Sequence, residues 1–144
     1  MSQLIVVGID SSACCERSVE YAAEWAKSAG AKLLLVHVIE WSPFSFSTAM
    51  ENEVRHKRRE EELARARTQL IDPVIADLKA RGLDVDGLVL HGHPAQTLVE
   101  VAEEKGAGNI VVGRTGTSRL KAQIFGSVPS TLVQASSVAV TVVP

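Results

Sequence analysis

Five short stretches of the chain are almost continuously apolar and rich in β-branched residues. They are Leu4–Ile9, Lys32–Ile39, Gly87–Leu90, Asn109–Val112 and Val138–Val143. A strand that is buried on one face alternates apolar and polar residues, whereas a strand buried on both faces is apolar throughout. The five stretches therefore predict strands of a parallel sheet that is covered on both sides.

Amphipathic helical patterns separate these strands. Apolar residues recur at helical spacing from Cys15 to Ala26, Pro94 opens a second pattern of this kind, and Val128 begins a third. A fourth, longer pattern lies between the second and third strands. The alternation of strand and helix predicts one α/β domain over residues 1–144, with five parallel strands and four helices.

The longest helical segment, Glu51–Arg81, is dense in charge along its first half. This pattern is typical of a solvated helix face, and a surface that binds a partner protein is the alternative. Because proline cannot donate a backbone hydrogen bond, the helix is expected to kink or restart at Asp72-Pro73. The irregular stretch before it, Trp41–Met50, is interpreted either as a cover for a ligand site or as a mobile loop.

Composition narrows the classes of function. The 15 Lys and Arg residues are balanced by 17 Asp and Glu residues, and this net charge of −2 argues against a nucleic-acid-binding protein. No apolar stretch approaches the roughly 20 residues of a membrane span, and the first residues are expected to form a strand instead of a signal peptide. The adjacent Cys14 and Cys15 would point apart in a helix, which favours reduced thiols and a cytoplasmic protein.

A loop with glycines at both ends, GRTGTSRLKAQIFGS (residues 113–127), connects the fourth strand to the last helix. Gly113 and Gly116 allow the backbone to approach a ligand closely, and successive amides in such turns form anion-binding concavities. Gly126 and Ser127 open the last helix, whose amino end carries unpaired N–H groups that favour a phosphate. Two interpretations stay open: a phosphate site, or ordinary turn residues with Ser127 as a helix cap.

Ligands of open parallel sheets bind beyond the carboxyl ends of the strands, where the strand order reverses. Asp10, after the first strand, and Gly113, after the fourth, would meet there if these strands are neighbours. The chain has no G-x-x-x-x-G-K-[ST] motif and no G-x-G-x-x-G motif after the first strand. A P-loop NTPase and a dinucleotide-binding enzyme are therefore disfavoured.

The histidines and cysteines are weaker candidates. His37, inside an apolar strand, is interpreted as a packed and hydrogen-bonded core residue. His91 and His93 have the spacing of a pair on one strand face, but without a third ligand nearby a metal site is disfavoured. Cys14 and Cys15 are interpreted as small buried or bystander residues, with no catalytic role.

The glycine spacing, read with the rest of the chain, resembles one known family. The pattern G-x2-G-x9-G-S falls on Gly113, Gly116, Gly126 and Ser127, beside VVGIDSS, LLLVHV and HGHPAQTLVEVAEE elsewhere. Together they resemble the ATP-binding branch of the universal stress protein family over essentially the whole chain. The resemblance implies the strand order 3-2-1-4-5, with ATP in the crevice between the first and fourth strands.

By motif position, the resemblance also implies a role in nucleotide binding for eight residues. Asp10 would lie at the ribose or metal, the Val38 backbone at the adenine edge, Val112 and Gly113 along the ribose and phosphates, and Gly116, Gly126, Ser127 and Val128 at the phosphates. Mg²⁺ or Mn²⁺ is expected to accompany ATP. Pro129 stands where members often have Ser or Thr, which removes one N–H and one hydroxyl. The loop cations Arg114, Arg119 and Lys121 either offset this loss or are solvated cations without a function.

The last strand carries no charged residue, and an unguarded apolar edge invites pairing with another chain. The resemblance likewise implies a homodimer through this strand, and burial under the last helix alone is the alternative. The expected function is a cytoplasmic, ATP-binding regulator of the stress response that acts through partner proteins and has no catalytic residues. Two alternatives stay open: a slow ATPase or phosphoryl-transfer enzyme that uses Asp10, and an interaction module whose pocket is empty or filled by AMP.

Overall fold

The five apolar stretches form five strands in the computed structural model, which describes residues 3–10, 14–40, 49–114 and 127–144. The strands are β1 (Leu4–Gly8), β2 (Lys32–Glu40), β3 (Val85–Gly92), β4 (Asn109–Gly113) and β5 (Ala139–Val143). The helices are α1 (Cys14–Ala29), α2 (Ala49–Ala66), α3 (Asp72–Ala80), α4 (Pro94–Lys105) and α5 (Ser127–Ala135). A π-helical turn, Arg67–Ile71, joins α2 to α3, so four helical segments alternate with the strands.

The strands form one parallel sheet in the order β3-β2-β1-β4-β5. The predicted fold and strand order are thereby confirmed. β1 lies in the centre, and the chain first builds the sheet outwards through β2 and β3. It then crosses back to the other side of β1 for β4 and β5, so the strand order reverses between β1 and β4.

The sheet is buried on both faces, which explains why its strands are apolar without alternation. The adjacent Val6 and Val7 are both fully buried, but Val7 packs on the α1 and α3 side while Val6 packs on the α4 and α5 side. Leu33 and Leu34 divide in the same way. Each such side chain contributes about 1.5–3 kcal/mol by leaving water. The core therefore consists of two apolar layers that share the sheet.

The long helical segment begins at Ala49. A π-helical turn, Arg67–Ile71, interrupts its regular α-helix just before Asp72-Pro73. Pro73 lies in the first turn of α3, where its missing N–H is tolerated. The preceding residue, Asp72, donates its N–H to the Arg67 carbonyl across five residues, which is the bond of a π-helical turn. The wider turn carries the helix past the proline without a break, where the sequence predicted a kink or a restart.

The π-helical turn also fastens the segment to the edge strand β3. The Arg67 guanidinium donates to the carbonyl oxygen of Gly87, and its Nε lies 3.1 Å from Asp72 Oδ1. Ile71 is fully buried against the same glycine, and a Cβ at position 87 would overlap Ile71 Cγ2 and lie 3.0 Å from Ile75 Cδ1. The helix therefore lies so close to β3 that only glycine fits there.

Candidate functional site

The carboxyl ends of β1 and β4 lie side by side. The two strands pair through Val7 and Val111, and the chain continues to Asp10 on one strand and to Gly113 on the other. Both residues are half-buried. The first and fourth strands are therefore neighbours, which is what the sequence analysis required for Asp10 and Gly113 to lie near each other. They meet at the point where the strand order reverses.

β2 extends well beyond the end of β1. It pairs with β1 only as far as Gly8 and Val36, but with β3 as far as Glu40 and Gly92. Residues 37–40 of β2 consequently have no paired strand on the side of β1 among the described residues. Val38, the residue expected at the adenine edge, lies in this overhang and is half-buried. We refer to the space beyond β1, between the overhang of β2 and the end of β4, as the crevice.

His37 connects the overhang to the end of β1. Its Nδ1 lies 2.6 Å from the carbonyl oxygen of Ile9, the residue before Asp10. Because a carbonyl oxygen can only accept, Nδ1 carries the proton and donates it. The predicted hydrogen-bonded state of His37 is confirmed, although the residue is half-buried instead of fully buried. Its partner lies 28 residues away, so no local pattern in the sequence could have found it.

On the side of β4, the residue that follows the strand, Arg114, has a side-chain donor without a partner among the described residues. Val112 is buried against the α4 and α5 layer, and Gly113 ends the strand. Arg114 donates its backbone N–H to the Val143 carbonyl at 2.8 Å, which continues the ladder between β4 and β5. Its side-chain Nε is buried, and among the residues that the structure describes it has no hydrogen-bond partner. A buried donor of this kind is suited to an oxygen atom of an anionic ligand.

The last of the expected binding residues belong to α5, which begins at Ser127. Val128 is half-buried and packs on the α4 side of the sheet, and Pro129 is buried in the first helical turn. An amide at that position has no partner inside the helix, so the proline costs the helix no bond and removes only a donor available to a ligand. Gly116 and Gly126 lie outside the described residues.

The comparisons with known proteins agree with this geometry. The sequence profile described as the Universal stress protein family matches residues 1–144. The chain belongs to the universal stress protein family. Universal stress protein YxiE of Bacillus subtilis is 28% identical to it, over 99% of both chains. A universal stress protein of Mycobacterium bovis is also 28% identical, over 97% of this chain, but this chain spans only 47% of that relative's length.

Solved structures of universal stress proteins have the same fold. UspA from Lactobacillus plantarum superimposes with a TM-score of 0.83 at 22% identity, and the match covers 99% of this chain and 97% of UspA. A universal stress protein solved in complex with cAMP superimposes with a TM-score of 0.64 at 27% identity, covering 99% and 96% of the two chains. The second of these proteins therefore holds a nucleotide.

The other two histidines singled out in the sequence of this universal stress protein, His91 and His93, lie in different surroundings. His91 Nε2 is 3.4 Å from Glu62 Oε2, so this nearly buried imidazole connects β3 to α2. His93 is exposed and precedes the first turn of α4. Within the described ranges, no three His, Cys, Asp or Glu residues are grouped as metal ligands. Cys15, in α1, is half-buried and packs against the apolar core on the α1 and α3 side of the sheet.

The described helices include none that is both long enough and apolar enough to cross a bilayer. The longest of them, α2, is also the most charged, and its exposed side chains include Lys57, Arg58 and Glu61. Of the two interpretations of this charge, the solvated face agrees with the exposure of these residues.

Proposed function

We propose that this universal stress protein binds ATP in the crevice and serves as a cytoplasmic regulator of the stress response, acting as a homodimer through partner proteins. The single observation that carries the proposal is that β2 continues past the end of β1, pairing with β3 as far as Glu40. This overhang opens a crevice at the reversal of strand order, with Val38 and His37 on one wall, Asp10 at its base and Arg114 on the other wall.

The β2 wall suits the edge of an adenine base. The overhang pairs with β3 on one side only, and so it presents strand backbone on its other side. The amide and carbonyl groups of a free strand edge bind a planar group that carries a donor next to an acceptor. Adenine carries such a pair on its Watson–Crick edge. In the proposal the backbone of Val38 binds this edge, and Asp10, at the end of β1, is near the ribose.

The β4 wall suits the phosphates. The idle Nε of Arg114 is a charge-assisted donor, and the amino end of α5 supplies backbone N–H groups and the positive end of the helix dipole. The proposal assigns the phosphates to Gly116, Gly126, Ser127 and Val128, with Val112 and Gly113 along the ribose and phosphates. The whole of residues 1–144 then forms one nucleotide-binding domain.

A divalent cation fits the same arrangement. Mg²⁺ and Mn²⁺ prefer oxygen ligands from carboxylates, phosphates and water. The half-buried carboxylate of Asp10 is the protein ligand that the proposal assigns. When bound, the cation would neutralise part of the negative charge of the phosphates.

The relative solved with cAMP supports the chemical class of the ligand, because that protein holds an adenine nucleotide at 27% identity. The choice of ATP over a monophosphate rests on two separate features of the β4 wall, the cationic donor of Arg114 and the amino end of α5. Pro129 has no backbone N–H to donate to a phosphate, and this argues for a ligand with fewer phosphates. A competition experiment between ATP, AMP and cAMP therefore tests the ligand directly.

The experiment that tests the proposal is nucleotide analysis of the purified protein, followed by calorimetric titration with ATP and Mg²⁺. We expect ATP to bind and to raise the midpoint of thermal unfolding. A ligand at 100 times its dissociation constant stabilises the folded state by about 2.7 kcal/mol. If no nucleotide is recovered and neither heat nor a thermal shift follows the addition of ATP, the proposal is wrong.

A hydrolytic role is the weaker candidate. Transfer of a phosphoryl group needs a base that positions the attacking water or acceptor. The described acid at the base of the crevice is Asp10, which the proposal already assigns to the ribose or metal. Turnover of ATP that is lost in Asp10→Asn, while the affinity for ATP is retained, would favour the enzyme over the regulator.

The homodimer is proposed through β5. This strand pairs with β4 on one side and is an edge of the sheet in the described structure. Arg114 N–H donates to Val143 O, so odd-numbered residues of β5 direct their amides to β4 and even-numbered ones direct theirs outwards. Val140→Pro therefore removes an outward donor and spares the ladder.

We expect Val140→Pro to be a folded monomer by light scattering if β5 mediates assembly. Thr141→Pro is the matched control, because its amide belongs to the ladder with β4 and its loss should destabilise the fold. A wild-type monomer, or a Val140→Pro dimer of unchanged stability, would refute assembly through this strand.

A further inference from the structure

The direction of each backbone amide in β2 can be read from the first two residues of the strand. Lys32 N–H donates to Gln3 O at 2.8 Å, on the side of β1. Leu33 N–H donates to Asp84 O at 2.9 Å, on the side of β3. Since amides alternate in direction along a strand, even-numbered residues of β2 direct their N–H groups towards β1. The N–H of Val38 therefore points to the end of β1 and into the crevice.

A regular ladder would use this amide. Ile9 N–H donates to Val36 O at 2.8 Å, and the next bond of a parallel ladder would run from Val38 N–H to Ile9 O. That bond is absent among the described residues, because the pairing of β1 with β2 ends at Gly8 and Val36. The Ile9 carbonyl instead accepts from His37 Nδ1 at 2.6 Å. The imidazole thus occupies the acceptor that would otherwise bind Val38.

We propose that His37 is a positioning residue for the ligand of the crevice: its Nδ1–H holds the Ile9 carbonyl, ends the ladder one bond early and keeps the Val38 amide free for an acceptor nitrogen of a planar base. The part of this inference that concerns a base rests on the proposed function. The part that concerns the Val38 amide stands on the backbone geometry alone.

The physical reason is the orientation of one acceptor. The Ile9 carbonyl, on a buried residue, needs a donor, and His37 Nδ1–H supplies it. A carbonyl oxygen can accept two hydrogen bonds, but among the described residues this one accepts from the imidazole and not from Val38 N–H. In the proposal, removal of the imidazole lets the carbonyl turn to Val38 N–H, and closure of the ladder removes the ligand's partner.

The experiment compares the full-length wild type with His37→Leu and His37→Asn. Leucine fills part of the space of the imidazole but donates nothing. Asparagine carries its amide nitrogen at the same number of bonds from Cα as Nδ1, so it preserves the donor. The first readout is hydrogen exchange of the Val38 amide by NMR, without nucleotide. We expect fast exchange in the wild type and His37→Asn, and exchange slowed by about tenfold or more in His37→Leu.

The second readout is the affinity for ATP and for inorganic triphosphate, both with Mg²⁺. We expect His37→Leu to bind ATP about tenfold more weakly, as befits the loss of one hydrogen bond, and His37→Asn to retain most of the affinity. Triphosphate has no base, so its affinity should change by less than about twofold in both variants. A role of His37 in general stability would weaken both ligands alike and would not be rescued by asparagine.

The outcomes separate the inference from the proposed function. A Val38 amide that is protected in the unliganded wild type overturns the inference, and this measurement needs no variant and no ligand. Equal loss of ATP and triphosphate affinity in His37→Leu also overturns it. If the wild type binds neither ligand, the proposed function falls, while the exchange data still decide whether His37 ends the ladder. Should His37→Leu not fold, His37→Met, which also has no N–H or O–H to donate, replaces it with the same expectations.

Discussion

Replacement of Arg114 by methionine should make the unliganded protein more stable and its complex with ATP weaker. The Nε of Arg114 is buried and without a partner among the described residues. A buried donor left unsatisfied costs about 1–3 kcal/mol. Arg114 as a whole is half-buried, so part of the guanidinium is solvated and the lower end of this range applies. Methionine keeps the apolar stem as far as the position of Nε and has no donor there, so we expect a gain of up to about 1 kcal/mol in the free energy of unfolding.

The loss in binding follows from the same donor. A hydrogen bond from a charged group contributes about 1.5–3 kcal/mol. With the lower figure, the affinity for ATP falls by about tenfold, since 1.4 kcal/mol corresponds to a factor of ten. Adenosine, which has no phosphates, should bind Arg114→Met as it binds the wild type. Urea unfolding measures the first effect, and calorimetric titration measures the second.

Lys105→Gln is the matched control for net charge. Lys105 is exposed in the last turn of α4, which runs from the carboxyl edge of the sheet to the opposite edge. Both substitutions remove one positive charge, so any general electrostatic effect on ATP is common to them. An equal loss of ATP affinity in the two variants would refute a local role for Arg114. A large destabilisation of unliganded Arg114→Met would show that its Nε is not an idle donor.

Two further predictions concern the fold. Gly87→Ala should cost about 1–3 kcal/mol of stability in urea unfolding, because the new methyl group overlaps Ile71 Cγ2. The control is Gly108→Ala, whose methyl group has nothing within 4 Å and which should be neutral or slightly stabilising. Equal effects of the two substitutions would show that the π-helical turn shifts freely away from β3. Arg81 hydrogen-bonds both Glu20 carboxylate oxygens and holds the pKa of Glu20 below its ordinary value of 4.5. A lowered pKa gives stability that is present above pH 4.5 and lost as the pH falls through the folded-state pKa, so the loss of urea midpoint in Arg81→Gln should be largest at neutral pH and should shrink as the pH falls below 4.5. Because this pair is exposed, the effect should be small and should shrink in high salt, and a difference that does not shrink with falling pH would contradict the assignment.

The sheet could be predicted because its information is local. A strand buried on both faces needs consecutive apolar residues, and Val6 and Val7 or Leu33 and Leu34 satisfy that need within a few positions. The π-helical turn could not be predicted in the same way. Pro73 announces a disturbance of the helix, but the form that it takes depends on Gly87, which admits Ile71 against β3 from another part of the chain.

The candidate site likewise combines features that could be predicted from the sequence with features that could not. The meeting of Asp10 with the end of β4 follows from the strand order, and the order itself came from a family resemblance instead of from periodicity. The bond between His37 and Ile9, and the burial of Arg114 Nε, depend on how strands of unequal length end side by side. No spacing rule within the sequence predicts the bond or the burial, because each depends on residues from separate parts of the chain.

Unequal strand length also bears on how a ligand would be selected. The overhang of β2 presents backbone groups, because its pairing with β1 ends at Val36 while its pairing with β3 continues to Glu40. Backbone amides such as that of Val38 recognise an acceptor but distinguish poorly between nucleotides that share a base. Discrimination by phosphate number then falls to side chains at the other wall, where Arg114 adds a donor and Pro129 removes one. The ratio of ATP to AMP affinity is therefore the quantity in which the effects of Arg114 and Pro129 should be visible.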